Sequence, residues 1–377
     1  MSIGSSGSTN GRLRVALLIE SDGPGGAESV VHRIVNGLTE RGHEALPFTL
    51  APGQGWLSGR LRNEGYPVHQ PSLSRAVDPA FARRLSAWSR QERIDVLHAH
   101  EFTMGFYAGA AGLMSRIPHI ITMHGGVSFA AAARRRWALK WSASRAASTV
   151  GVSESTCQHL STALGISRRA IELVPNGVPQ VQGNRSAARE SLGVSDAERL
   201  LLSVGNLYPV KGHATLIAAC ALLAERTDIP SWRLCIAGRG DEESSLREQI
   251  RCAGLEGRVT LLGLRNDVGD LLAAADGWIM PSLSEGLPMA LLEAMSARLP
   301  IIASAVGGIP DVLGPTSSGH LVPVGDATQL AAAMEQLLRD PAGSTAMGDR
   351  AYQVVESNYS ASAMVDRYVA LYRKALA

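Results

Sequence analysis

Arg12 to Glu20, RLRVALLIE, is a short apolar run that ends in the glycine-rich SDGPGGAE, and from Ser29 to Leu38 the residues Val30, Val31, Ile34, Val35 and Leu38 fall at helical spacing. This is strand, loop, helix, and it recurs. DVLHAH leads into GFYAGAAGLM, HIITMHGG into a basic, alanine-rich stretch, and STVGVS into ESTCQHLSTAL. Parallel neighbours need long crossovers and helices supply them, so the repetition predicts a parallel sheet covered by helices. IELVPNGVPQVQGNRSAARE interrupts the pattern with prolines, glycines and polar residues, as a connection between domains does. Beyond it the cycle restarts with five strand-like runs, LLLSVGNL, RLCIAG, VTLLG, GWIMP and LPIIAS.

The expected architecture is α/β, with two doubly wound, Rossmann-like parallel-sheet domains facing a central cleft. A flexible leader spans 1–11, the first domain 12–179 and the second 180–359. Residues 360–377 form a terminal helix that crosses back to the first domain, with Met364, Val365, Tyr368, Leu371 and Tyr372 on its apolar face. A chain of 377 residues, 45% of them hydrophobic, can fill two cores.

Charge and cysteine content exclude other classes. The net charge of +2 comes from 36 basic and 34 acidic residues, which gives none of the one-signed field that a nucleic-acid binder uses. Cys157, Cys220, Cys235 and Cys252 lie far apart without metal-ligand spacing, and read as reduced residues of a cytoplasmic protein. The start, MSIGSSGSTNGRLR, lacks the apolar centre of a secretory signal, and no later run approaches the ~18 apolar residues of a membrane span.

In open parallel sheets, ligands bind beyond the carboxyl ends of the strands, so the loops there are where chemistry belongs. Gly25 and Gly26 follow the first strand and precede a helix, where bare backbone could approach a phosphate; a plain tight turn would read the same. Lys211 follows the first strand of the second half, in VGNLYPVKGH, where it could neutralise a phosphate or stay solvated. SEGLPMALLEAM is more specific. Pro288 suits the first position of a helix, so the amides from Gly286 to Met289 would face out as an anion site. Glu285 stands just outside that site and Glu293 lies on the second helical turn. Two carboxylates could there hold two sugars on either side of an anion. A dipole-satisfying Glu285 and a solvated Glu293 is the plainer reading.

Glu285-Gly-Leu-Pro with Glu293-Ala-Met, followed by LPIIASAVGGIPDVL and GHLVPVGD, resembles the E-x7-E segment of the retaining family 4 glycosyltransferases, two-domain enzymes of the GT-B fold. GGAE at Gly25 to Glu28, TMHGG around His124, LVPNGV at Leu173 to Val178 and PVKGH at Pro209 to His213 extend the resemblance over nearly the whole chain. It implies a nucleoside-diphosphate sugar held mainly by the second domain. Glu293 would hold the ribose hydroxyls, Glu285 the hydroxyls of the transferred sugar, and Lys211 with the Gly286 and Leu287 amides the diphosphate. Gly26 would add an amide from the first domain, and His124 would sit near the reacting carbon. Glu285, His124 and Lys211 are thus the expected catalytic residues. Gly25, Leu264, Pro288 and Arg239 complete the donor set. Family members of this kind need no bound metal, and no D-x-D sequence occurs here.

Three positions depart from the family pattern. Asn206 stands where many relatives carry an arginine facing the diphosphate, Arg298 replaces a usual glycine, and Asp311 replaces a commoner glutamate. On the acceptor side, His98 and His100 are candidates for the cleft edge, although buried histidines at a strand end would look alike. Arg134, Arg135, Arg136, Trp137, Lys140 and Trp141 could rest on an anionic membrane and meet a lipid-linked acceptor, or be a solvated basic helix face.

The expected function is transfer of a hexosyl-type sugar, with retention, from a nucleoside-diphosphate sugar to a hydroxyl of a glycan or lipid-linked acceptor, in surface polysaccharide assembly. The expected location is cytoplasmic, with peripheral contact at the inner membrane face. The rivals are a nucleotide-sugar epimerase of the same architecture, which would change the donor with no acceptor present, and a catalytically silent sugar-nucleotide binder.

Overall fold

The computed structural model describes residues 11–53, 55–75, 77–125 and 133–377. The expected leader, save Gly11, therefore lies outside the described residues. The first sheet holds β1 (Arg14–Leu18), β2 (Glu44–Phe48), β3 (Val96–His100), β4 (His119–Met123), β5 (Ser148–Gly151) and β6 (Ile171–Leu173), in the order β2-β1-β3-β4-β5-β6. The second holds β7 (Arg199–Val204), β8 (Trp232–Ala237), β9 (Val259–Gly263), β10 (Gly277–Met280), β11 (Ile301–Ser304) and β12 (His320–Val322), in the order β12-β11-β10-β7-β8-β9. All the described strand pairs are parallel. The central strands are buried on both faces, as helix-covered parallel sheets require.

Three of these strands are not apparent in the sequence. β2 carries Pro47, which argues against a strand, yet β2 is the sheet edge, where a proline need not break a ladder. β6 sits inside the stretch expected to be connection. β12 is only three residues long.

Each sheet has one place where strand order reverses, between β1 and β3 in the first and between β7 and β10 in the second. Crevices open at such switch points. Beyond the carboxyl ends of β1, β3, β7 and β10 come Gly25 and Gly26, Glu101, Lys211, and Glu285 respectively.

Two crossings join the halves. The Val178 N–H donates to the Tyr359 carbonyl at 2.8 Å, and the Ala361 N–H to the Val178 carbonyl at 3.0 Å. The helix Ala361–Leu376 then lies on the first domain's helix Gly26–Glu40, where a Cβ on Gly37 would come within 2.6 Å of Val365. At the far end the Tyr372 hydroxyl is hydrogen-bonded with His98 Nδ1 at 2.7 Å, and His98 Nε2 with the Thr122 hydroxyl at 2.9 Å.

Several histidines lie within this framework, His98, His119 and His213 buried and His124 at its edge on the cleft. Burial pushes His98 down to about 3, and His119, His124 and His213 to about 4. Each binds its proton more weakly folded than unfolded, so its contribution is intact above about pH 6.5 and is lost as the pH falls toward 4. Glu101 has the opposite sign. Burial raises it to about 7, against the pull of the His124 N–H, with Glu28 and Glu20 adding repulsion. Its contribution therefore grows as the pH falls from 7 towards 4.5, against these four and His100, which burial also lowers. Urea denaturation is expected to give a lower unfolding free energy at pH 5 than at pH 7.5; a flat or rising profile would contradict the burial of these rings in neutral form.

Candidate active site

A cleft of about 940 Å³ lies between the two switch points. Two helix N-termini flank it, one from each domain. The helix Gly26–Glu40 starts at Gly26 and the helix Met289–Ser296 at Met289, and a Cβ on Gly26 would lie 3.5 Å from Met289 Cγ. Aligned peptide dipoles and free amides give both ends an attraction for anions. Among the described residues, the Gly286 and Leu287 amides donate no hydrogen bond within the chain. Their carbonyls are occupied, Gly286 by the Gly308 N–H at 2.7 Å and Leu287 by Asn176 Nδ2 at 2.9 Å. The Gly286 carbonyl shares its peptide group with the Leu287 amide, so that donor is held in place while it stays available. Pro288 is the N-cap, with φ −72° and ψ 128°, one residue before the helical position expected of it. The extended ψ carries Gly286 and Leu287 outward to the facing domain.

There the two main chains touch. A Cβ on Gly286 would meet the His124 carbonyl oxygen at 2.2 Å and Gly125 Cα at 3.1 Å, and Gly125 itself has φ +145°. Only a residue without a side chain fits on the second-domain side.

Four charged side chains are paired within the cleft. Lys211 Nζ donates to Glu285 Oε1 at 2.7 Å, and Arg33 Nη2 donates to Glu293 Oε1 at 2.5 Å. Lys211 ends a short 3-10 turn that Gly212 closes at φ +67°, so close to the Pro281 carbonyl that a Cβ there would lie 2.1 Å from it. The lysine is thereby pinned against the loop that carries Glu285. His124 stands opposite. Its backbone N–H donates to Glu101 Oε1 at 3.0 Å, and its ring Nε2 is 2.8 Å from His100 Nδ1. Two neutral rings can share one proton in that contact. The His124 Nδ1 is buried and has no partner among the described residues.

Gly25, Gly26, His124, Asn206, Lys211, Leu264, Glu285, Gly286, Leu287, Pro288 and Glu293 all line this one cleft. Arg239 does not; its backbone carbonyl accepts from the Leu207 N–H, and the second domain's arginine on the cleft wall is Arg265, held by Asp267 at 2.7 Å. His98 and His100 have no exposed surface and do not line the cleft. His98 is bound to the terminal helix through Tyr372, and His100 stands behind His124. Arg298 takes φ +58°, the backbone a glycine adopts freely, and is steadied by Asp349 at 2.8 Å and by the Tyr352 ring. Sequence reasoning missed Arg33, Arg265 and Glu101. Arg33 had a signal, since it lies seven residues after Gly26, two turns along the same helix face. Glu101 had none, because its φ of +65° breaks the continuity between β3 and the helix that follows.

Two family models divide the chain at the crossing point. Residues 24–180 match Glycosyltransferase Family 4, and residues 184–354 match Glycosyl transferases group 1. The phosphatidyl-myo-inositol mannosyltransferase of Mycolicibacterium smegmatis is 30% identical over 85% of this chain and 82% of its own. This chain belongs to glycosyltransferase family 4. The N-acetyl-alpha-D-glucosaminyl L-malate synthase of Bacillus anthracis is 26% identical over 92% of this chain and 93% of its own. Anabaena HepE, solved in complex with UDP, superposes with a TM-score of 0.83 at 21% identity, over 95% of this chain and 99% of that one, and the fold is GT-B. The epimerase alternative finds no support among these relatives of the glycosyltransferase. No helix among its described residues is long and apolar enough to cross a membrane.

The close approach at Gly286 is testable by stability. Gly286→Ala places a methyl group against the His124 carbonyl, and overpacking of this kind costs about 1–3 kcal/mol. Denaturation curves of the two proteins are expected to differ by that amount; an unchanged midpoint would contradict the contact.

Proposed function

We propose that the enzyme transfers a hexosyl-type sugar, with retention and without a bound metal, from a nucleoside-diphosphate sugar to a hydroxyl of a glycan or lipid-linked acceptor. The observation that carries the reading is the pair of unengaged amides at Gly286 and Leu287 beside Lys211, facing the Gly26 helix end across the cleft. Such a set suits a diphosphate. In this assignment Glu285, tethered to Lys211, meets the sugar hydroxyls, and Glu293 meets the ribose.

The chemistry follows from charge. As the bond from the sugar's anomeric carbon to the phosphate oxygen breaks, its electron pair leaves with the nucleoside diphosphate. Amides and Lys211 stabilise that growing negative charge in place, which is worth several kcal/mol in a site with little water. The acceptor oxygen bonds to the anomeric carbon on the same face, and its proton passes to the departing phosphate oxygen. His124, neutral near pH 7 because burial holds it down to about 4, offers a hydrogen bond and no charge to the sugar. Asn206 lines the cleft where a guanidinium would have added a second cation, so Lys211 is the principal side-chain charge at the phosphate.

Surface polysaccharide or glycolipid assembly is the proposed setting. The helix Ala133–Ala143 supports it, since Arg134, Arg135, Arg136 and Lys140 are exposed and Trp137 is 66% exposed, while Arg145 lies over the Trp141 ring. Cations and a free indole on one short helix suit an anionic lipid surface. The phosphatidylinositol-linked acceptor named for the mannosyltransferase relative agrees with it. Sedimentation with phosphatidylglycerol vesicles is expected to carry the protein down, and Trp137→Ser with Arg135→Ser to release it; equal sedimentation of both would remove the membrane contact from the proposal.

The donor assignment has its own test. UDP-, GDP- and ADP-sugars are screened first by thermal stabilisation, and cleavage of the stabilising donor is then followed. Lys211→Ala is expected to lower turnover by roughly 3 kcal/mol in transition-state stabilisation, and Asn206→Ala to be mild. Glu293→Ala should mainly weaken donor binding, whereas Glu285→Ala should lower turnover roughly 10²-fold. Near wild-type kinetics for Lys211→Ala would mean that the phosphate site is misassigned.

A further inference from the structure

The first domain reaches the donor side of the cleft through one side chain that the assignments above leave without a role. Arg33 lies two turns into the helix Gly26–Glu40, and its guanidinium makes three contacts, two with one helix of the second domain and one with the connection between domains. Nη2 donates to Glu293 Oε1 at 2.5 Å, on the second domain's helix. Nη1 donates to the Gly177 carbonyl at 3.3 Å, in the connection between domains, and lies 3.7 Å from Met289 Sδ at the start of the helix that carries Glu293. The side chains of Arg33 and Glu293 are 15% and 22% exposed, so the pair is shielded yet opens on the cleft.

The geometry is a pair of rungs between two helices. Gly26 faces Met289 at their N-terminal ends, and Arg33 meets Glu293 further along both. The first rung frames the anion site. The second frames the place four residues along the Met289 helix where a nucleoside extending from that anion would lie. A carboxylate offers about four lone-pair positions on its two oxygens, and Arg33 uses a single oxygen through a single N–H. Among the described residues, Glu293 Oε2 accepts no hydrogen bond. The arginine therefore orients the carboxylate and leaves its accepting capacity open.

We infer that Arg33 is a positioning residue of the donor site, which holds the Glu293 carboxylate from the opposite domain in the orientation that accepts both hydroxyls of a ribose diol. The inference rests on the donor reading given above. Arg33 has two effects there. It fixes a flexible glutamate in one rotamer before the nucleotide arrives, which removes an ordering cost from binding. It also balances the charge of Glu293 when a diphosphate enters the cleft beside Glu285 and Glu293, where an unpaired carboxylate would repel it. A lysine could supply the charge, although without the fork that contacts Glu293 and Gly177 together.

Calorimetric titration of UDP and 2′,3′-dideoxy-UDP into wild type, Arg33→Gln and Arg33→Lys tests this, with the same pairs of GDP and ADP run in parallel to cover the base. Wild type is expected to prefer the ribonucleotide. Arg33→Gln should weaken the ribonucleotide by about 10- to 100-fold, the range of a lost charge-assisted contact, and the dideoxy form, which loses only the charge balance, by clearly less; Arg33→Lys should recover part of the preference. An unchanged preference overturns the inference, whether both nucleotides weaken equally or neither changes, and so does tighter ribonucleotide binding in Arg33→Gln, which would make the arginine a competitor. Thermal midpoints identify a variant that has not folded, and Arg33→Lys then decides by the same ratio. If wild type binds none of the six nucleotides, the donor reading falls and this inference with it; if wild type binds and discriminates, failure in the variants falls on Arg33 alone.

Discussion

The contact between the His124 carbonyl and Gly286 sets the width of the cleft on which the rest of the site depends. Two main chains from different domains meet where a single methyl group would separate them, since a Cβ on Gly286 would stand 2.2 Å from that oxygen. With the chains this close, the start of the Gly26 helix lies against Met289, Arg33 spans to Glu293, and the Gly286 and Leu287 amides face the first domain instead of solvent. The terminal helix maintains the same geometry from the other side. Its crossing at Val178 and Tyr359, and the burial of Tyr368 and Tyr372 against β3 and β4, tie the end of the chain to the domain where it began.

Within that frame the charges are arranged as local pairs. Lys211 with Glu285 and Arg33 with Glu293 leave the cleft nearly balanced, so attraction for an anion comes from helix ends and amides more than from net charge. Such groups need little reorganisation when charge develops on a leaving group, which is the property a phosphate-releasing transferase requires. The neutral histidines behind His124 serve the same end differently. His100 holds the His124 ring by one hydrogen bond, and His98 behind it is held by Tyr372 and Thr122, so the stack adds no charge to this wall of the cleft.

Much of this was legible in the sequence, and the exceptions have physical causes. The alternation of apolar runs and helical spacing revealed the doubly wound halves because buried parallel strands must be apolar throughout. β2 was hidden by Pro47, β6 by its place among prolines and glycines, and β12 by its three-residue length. The helix start at Met289 could be read from Gly-Leu-Pro because a helix start has a local signature. Arg33 could be placed on the helix face that starts at Gly26 but not paired, since its partner lies 260 residues away and only the folded cleft brings them together. His98 and His100 show the converse: their period-two spacing on a strand places both on one face, but that face is covered by the terminal helix and by His124. Arg298 departs from the family's glycine without losing the turn, because a ring and a carboxylate hold its backbone in the left-handed region.

The central claim is that a nucleoside diphosphate lies between the domains with its phosphates at the Gly286 and Leu287 amides. A crystal structure of the protein grown with UDP, or with whichever nucleotide stabilises it most, tests this directly. The account predicts the diphosphate within hydrogen-bond distance of both amides and of Lys211 Nζ, with the ribose diol on Glu293. A nucleotide bound outside the cleft, or bound within it with its phosphates away from Gly286 and Lys211, would contradict it.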